Sequence, residues 1–338
     1  MAARKPVVMV NGVLVQLPSG DSLLGAGGLA GFTSSITPEA GGVGAYPAHT
    51  LTPDGADSNI GLVLAPKGFA YISAQLPDGT VAGGDPRGNQ AVDLQLNRLN
   101  ASEVASGSGS FAAGTNNTAS GSRALAIGNQ NFSTGTYSAC FGSGNSATGT
   151  GSICFGFNNI STGLYSSCFG TNNEADANYA AAFGANTTVR SIAAAMAEGS
   201  SNGLGVQQMR RIALRRDTNN NIAFQLNSFG TTGPTSINSV VLPDTSAYYC
   251  RVRVLARNLS TNTCKSWIAT GLFRRGVGVG TVVMVGSSVT SEFGDAAMSA
   301  ASVSLGVNTS LGCMTVMVTG LSGVTVRWVA QVETIEAA

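Results

Sequence analysis

The chain has 338 residues, 43% of them hydrophobic but only 10% charged, with a net charge of +1, 45 glycines and a single histidine. Length and apolar share allow two or three packed domains and exclude a disordered chain, and the near-neutral charge gives no footing for nucleic-acid binding. One histidine excludes most histidine-based catalytic triads and metal sites.

At the N-terminus Arg4 and Lys5 precede an apolar run, but Asn11, Gln16 and Pro18 interrupt it, so no cleaved signal is expected. No later run reaches the ~18 apolar residues of a membrane span, so no membrane insertion is expected. Residues 6–17 are two short apolar runs around Asn11-Gly12, a pairing that tight hairpin turns prefer. From Pro18 to Pro53 glycine, serine and proline dominate, and the segment reads as an extended arm that lies on another protein. His49 stands alone within it. Ile60 to Ala65 reads as a strand, Pro66-Lys67-Gly68 as a turn and Ala70 to Leu76 as the return strand. Asp78-Gly79 marks another turn before the segment Gly83 to Arg98.

The blocks KPVVMVNGVLVQLPSGDSL at 5–23 and LVLAPKGFAYISAQLPDGTVAGGDPRGNQAVDLQ at 62–95, in that order ahead of glycine-rich repeats, resemble the front half of tailed-bacteriophage fibre proteins. The resemblance implies that residues 1–104, an arm with a small β region, attach the protein to a virion. Val7, Val8, Val10, Val13, Leu14 and Val15 would be the apolar attachment residues.

From Ala105 to Thr188 a 14-residue unit recurs six times without an insertion. Its tenth place is glycine throughout, and its third place is glycine until Ala177. A fixed period with fixed glycines predicts a stack of six like coils, about 29 Å tall at the ~4.8 Å spacing of strands. The glycines fit turns that need positive φ or close backbone approach, and asparagines fill other corners. Places six to nine alternate small and large. The eighth place (Ala112, Ala126, Cys140, Cys154, Cys168, Ala182) suits a narrow interior. Stacked in parallel, the three cysteines are badly placed for disulfides, and all six read as small buried hydrophobes of a chain made in a reducing compartment.

The ninth place carries Ile127, Phe141, Phe155, Phe169 and Phe183, for which so small a coil has no interior left. Burying each ring is worth roughly 1.5–3 kcal/mol. Association of chains along this file is the predicted solution. The unit is similar to the head repeats of trimeric autotransporter adhesins, which implies a left-handed β-roll formed as a homotrimer. Cysteine in place of the usual alanine in three coils is a departure from that family.

Residues 189–208 break the period and read as a cap and linker, with a short helix in SIAAAMAE. Arg210, Arg211, Arg215 and Arg216 follow without interleaved aromatics, as arginines of a strand facing solvent or a neighbouring chain. Residues 209–338 read as eight or nine strands, enough for a β-sandwich or jelly roll, so the predicted class is all-β throughout. In the last strand Val324, Val326, Trp328, Ala330 and Val332 share a core face, with Trp328 as anchor. RRIALRRD, VVLPDTSAYY and VTVRWVAQVETIE resemble the C-terminal domains of phage fibre proteins.

No enzyme is predicted. Glu174 and Asp176 are the repeat region's carboxylates and read as solvated corner residues. No cofactor or metal is expected. The reading is a virion structural protein made in the host cytoplasm: a trimeric tail fibre with an N-terminal attachment region, a β-roll spacer and a receptor-binding tip. Its partners are other virion proteins and a host surface component such as glycan, which Arg274, Arg275, Glu292, Phe293 and Asp295 would meet from loops. Alternatives are a capsid decoration protein or head fibre, and then a tailspike depolymerase.

Overall fold

A computed structural model describes residues 68–200, 207–230 and 233–337 in full, and the backbone of four strands nearer the N-terminus. The chain divides into two units, 1–65 and 66–338. In the first, Val7–Val10 and Val13–Gln16 pair antiparallel with Val10 opposite Val13, which leaves the two residues Asn11-Gly12 to connect them. Phe32–Thr37 and Ala48–Pro53 form a second antiparallel pair, with His49 opposite Ile36. The sequence reading makes that stretch an extended arm; its threonines and Ile36 favour pleated backbone over the pull of the surrounding glycines. The expected strand at 60–65 and the side chains of the six attachment residues lie outside the described residues.

The second unit is a β-solenoid of 14-residue coils joined to a C-terminal antiparallel sheet. Each coil contributes a five-residue strand from places seven to eleven, and a two-residue strand across the boundary to the next unit. Both pair in parallel with their equivalents one coil away, as with Cys140 beside Cys154 and Phe132 beside Ser146. Strict in-register pairing follows from the period, because like units offer like partners and a one-residue slip would turn the small eighth-place residues outward. That face is buried in every coil, and Sγ of Cys140, Cys154 and Cys168 donates to a carbonyl across the narrow interior. The thiols are free.

The two glycine places have different causes. Gly156, at the tenth place, has φ of 118°, and a Cβ there would meet the Gly170 carbonyl oxygen at 2.0 Å. Gly149, at the third, lacks the positive φ, but a Cβ would still lie 2.1 Å from the Gly163 carbonyl oxygen. The thirteenth place holds a ladder of buried asparagines. Asn159 Nδ2 donates to Asn145 Oδ1 (3.0 Å), to the Phe155 carbonyl (3.0 Å) and to the Gly170 carbonyl (2.8 Å). Asn131, Asn145 and Asn173 repeat this pattern, Gln95 begins the file and Thr187 ends it. Of each Asn-Asn pair, only the first, such as Asn158 with φ of 53°, takes the left-handed corner.

The parallel ladder outruns the six repeats at both ends. Val92–Asn97 pairs with Phe111–Thr115, and Ile72–Ser73 pairs in parallel with Val92 and Asp93, so the expected hairpin return at 70–76 is instead part of the stack. Arg87 and Arg98 close this end on Asp93 at 2.7 and 3.1 Å, all buried. At the other end one extra residue precedes Met196–Ser200, which pairs with Ala181 to Gly184 as a further strand rather than the expected helix. The open edge of the preceding coil overrides the helical propensity of its alanines.

The C-terminal part follows directly. Its strands are β1 (Gln207–Thr218), β2 (Ala223–Gln225), β3 (Val240–Val241), β4 (Ser246–Asn258), β5 (Cys264–Arg275), β6 (Val283–Gly294), β7 (Ser302–Asn308), β8 (Cys313–Thr319) and β9 (Val326–Ala337). β1 pairs antiparallel with Met196–Ser200, and the order continues β1-β9-β4-β5-β6, so solenoid and C-terminal sheet are one 14-stranded sheet. A smaller antiparallel sheet of β2, β3, β7 and β8 supplies Val303, Leu305, Met314, Val316 and Val318 to the common core. In β9 Val326, Trp328, Ala330 and Val332 are buried. Trp328 stacks on Trp267 with centroids 5.5 Å apart, and its indole N–H donates to Thr218 Oγ1 at 2.9 Å.

The basic cluster divides by strand alternation. Arg211 and Arg215 are exposed and Arg216 lies over the Phe224 ring, but Arg210 is buried, against the expectation that all four face outward. Its guanidinium pairs with Glu336 and donates to Tyr248 Oη, and Gln208 and Thr334 also donate to Glu336. Burial alone would push the Glu336 carboxyl up, yet Arg210, Thr334 and Arg190 hold it below the usual range.

Candidate functional site

Strand alternation sends the eighth place inward and the ninth out, and parallel in-register pairing sets each ninth-place residue upon its equivalent. Phe141 and Phe155 stack with ring centroids 4.5 Å apart, Phe155 with Phe169 and Phe169 with Phe183 at 5.4 Å, all within 6° of parallel. Ile127 lies beside Phe141 in the same file. The faces are thus spent on each other, while the edges reach solvent: Phe155 is 38% and Phe169 37% exposed. Phe157, half exposed, lies on the same sheet face. The five ninth-place residues thus share one apolar stripe on the outer face, the file for which the sequence predicts contact between chains.

Two other exposed files escaped the sequence reading. Phe132 and Ile160, at the fourteenth place, point to solvent from the short strands. Tyr137, Tyr165 and Tyr179 occupy the fifth place with φ between 52° and 59°, more than half exposed, and Tyr165 stacks on Tyr179 at 5.8 Å. Threefold recurrence of tyrosine at one place of the repeat was the signal for this file.

The five receptor-contact candidates are not in one place. Arg274 and Arg275 end β5, whereas Glu292 and Phe293 lie near the far end of β6 and Asp295 just beyond it. Val283 pairs with Arg274 and Phe293 with Ser266, so the two groups sit at opposite ends of one hairpin, about 26 Å apart at ~3.3 Å per residue. Asp295 alone lies in a loop; the other four are strand ends, because the β-branched run of β6 continues farther than its glycines imply. Phe293 is 78% exposed and Arg274 is exposed. Asp295 accepts the Cys264 N–H at 2.7 Å. Arg275 is held by Asp244 at 2.5 Å and donates to the Leu242 carbonyl.

Arg275 and Asp244 also line a cleft of about 570 Å³ with Glu174, Asp176, Arg190 and Ser191. Burial first, then Asp176, pushes the Glu174 carboxyl up. Asp176 accepts the Ser191 N–H at 2.8 Å and its hydroxyl. The cleft offers hydrogen-bonding groups of both kinds at the solenoid's junction with the C-terminal strands. Among the described residues no group of three or more His, Cys, Asp or Glu is placed to hold a metal ion. No helix there is long and apolar enough to cross a membrane.

No family model matches the chain, and no curated protein matches it. Among solved structures it is distantly similar to the tailspike protein of Acinetobacter phage vB_ApiP_P1, at 10% sequence identity and a TM-score of 0.21. The match covers 74% of this chain and 50% of that one, so this chain spans about half of the tailspike's length.

Proposed function

We propose that the protein is a trimeric bacteriophage fibre: a virion component attached through its N-terminal region, with the solenoid as spacer and the C-terminal domain presented to a host surface receptor. The partly exposed phenylalanine stack is the observation that carries this reading. A single chain leaves four parallel stacked rings with their edges reaching solvent, and contact with the same file on neighbouring chains removes that stripe. The blocks at 5–23 and 62–95 and the strand motifs of the C-terminal domain, which resemble phage fibre proteins, supply the virion context. The role is adhesive rather than catalytic, and Phe293 and Arg274 are the exposed candidates for receptor contact.

The test is sedimentation of the full chain beside Phe155→Asp. The wild type should sediment as a trimer at micromolar concentration. The variant, which puts one carboxylate per chain into the stripe, should dissociate or unfold. A monomeric wild type, or a Phe155→Asp protein that remains a soluble, unchanged trimer, would overturn the assignment of this face. Binding of the intact trimer to host cells, competed by their surface polysaccharide, tests the receptor role.

A further inference from the structure

The file that the phenylalanines begin does not stop with the solenoid. Phe183 lies beside Glu198, Glu198 beside Met209, Met209 beside Ile335, Ile335 beside Tyr249 and Tyr249 beside Leu272. Directly paired residues share a sheet face, so one row of side chains passes from the solenoid onto β1, β9, β4 and β5 without changing sides. From Ile127 to Leu272 it crosses ten strands, about 43 Å at ~4.8 Å per strand.

In the C-terminal sheet this row is the solvent side. The residues alternating with it, Arg210, Tyr248, Phe273 and Thr334, are buried, whereas Met209 is 52%, Ile335 58%, Tyr249 46% and Leu272 43% exposed. Farther along the same strands, Val329 and Leu255 pair as a second exposed apolar step. Scattered exposed apolar residues are ordinary, but a contiguous row of large ones is the mark of an interaction surface.

The charges on this face are incompletely matched. Glu333 lies 4.0 Å from Arg211 and 3.9 Å from Arg253. Among the described residues Arg251 has no ion pair, and Glu198 has neither an ion pair nor a side-chain hydrogen bond. One face thus carries an unmatched acid and an unmatched base.

We propose that a second copy of this chain covers this face, so that subunits touch along the C-terminal sheet as well as along the solenoid, with Glu198 of one copy meeting an arginine of the next. The inference rests on the association of chains through the phenylalanine file. Copies held together there at equal heights bring their C-terminal rows into reach of each other, because the row is continuous.

The experiment places the photo-crosslinking residue p-benzoylphenylalanine in the full chain at Tyr249, at Phe155, or at Ile222, which is exposed in the turn before β2. Irradiation should shift the chain to twice or three times its mass from positions 249 and 155 but not from 222. Crosslinking from 155 without crosslinking from 249 would overturn this inference and leave the solenoid association standing. Crosslinking from 249 without 155 would support it and overturn the phenylalanine assignment. A monomer that crosslinks from neither position would end both. Capture from 249 of a different virion protein, in particles carrying the substituted chain, would assign the face to that partner instead. Adding Glu198→Arg should reduce the yield at 249 several-fold and spare that at 155; an unchanged yield would remove Glu198 from the contact.

Discussion

Replacing Asn159 by alanine sets the buried ladder against its own sequence neighbour. The Asn159 side chain donates to three acceptors, and its Oδ1 accepts the backbone N–H of Asn173 at 3.0 Å and the Asn173 amide at 3.1 Å. Alanine strands that Asn173 N–H in a place that water does not reach. A buried donor without a partner costs about 1–3 kcal/mol, and each further bond lost adds roughly 0.5–1.5 kcal/mol, so Asn159→Ala should destabilise by at least about 3 kcal/mol. Asn158 is exposed and only occupies the left-handed corner, so Asn158→Ala should cost about 1 kcal/mol. The measurement is guanidinium unfolding of the full chain by circular dichroism at one fixed protein concentration, because association shifts apparent stability. Hydrogen exchange of peptides spanning 159–175 gives the local readout. Equal midpoint shifts for the two variants, or unaltered exchange in Asn159→Ala, would refute the ladder as a source of stability.

Gly156→Ala meets both a φ of 118° and the Gly170 carbonyl, and should cost at least about 3 kcal/mol, read as a lost or lowered unfolding midpoint. Glu336→Gln leaves the buried Arg210 without its counter-charge and should destabilise by about 3–5 kcal/mol at neutral pH. In the wild type the depressed Glu336 contributes stability above its unfolded pKa of about 4.3, and this is lost as pH falls through the lower folded value. Acid melts should show that loss in the wild type and not in Glu336→Gln. Thiol labelling of the native protein should modify Cys264 alone, since it is exposed and the other five are buried, with Cys250 pushed up to about 12 and Cys313 to about 11 by burial. Denaturant should release all six.

What could be read from the sequence was whatever repeats. The period, the fixed glycine places, the inward cysteines and the outward phenylalanines all follow from alternation within a unit and identity between units. The core face of β9 was legible for the same reason, as a clean period of two ending in Val332. What escaped depends on partners distant in sequence. Residues 191–198 have the composition of a helix, yet Met196–Ser200 is a strand because the preceding coil offers it an edge. Arg210 belongs to a basic cluster and is buried because Glu336, 126 residues later, is its neighbour. Asn159 and Asn158 are the same amino acid, and only the stack decides which is interior. The receptor candidates were placed in loops because the glycines around Val277 and Gly286 outweighed β-branched runs, and pairing of β5 with β6 then separated them into two groups.

In-register pairing of each coil with the next makes the solenoid a ruler marked in units of 14 residues. Removing 147–160 would lower the C-terminal sheet by one division, about 4.8 Å, and return every remaining side chain to the same side. Removing a single residue within a strand would reverse the sides instead. Length is therefore quantised: each 14-residue unit added or deleted changes the height of the solenoid by one step and leaves the inward and outward places of every remaining coil as they were.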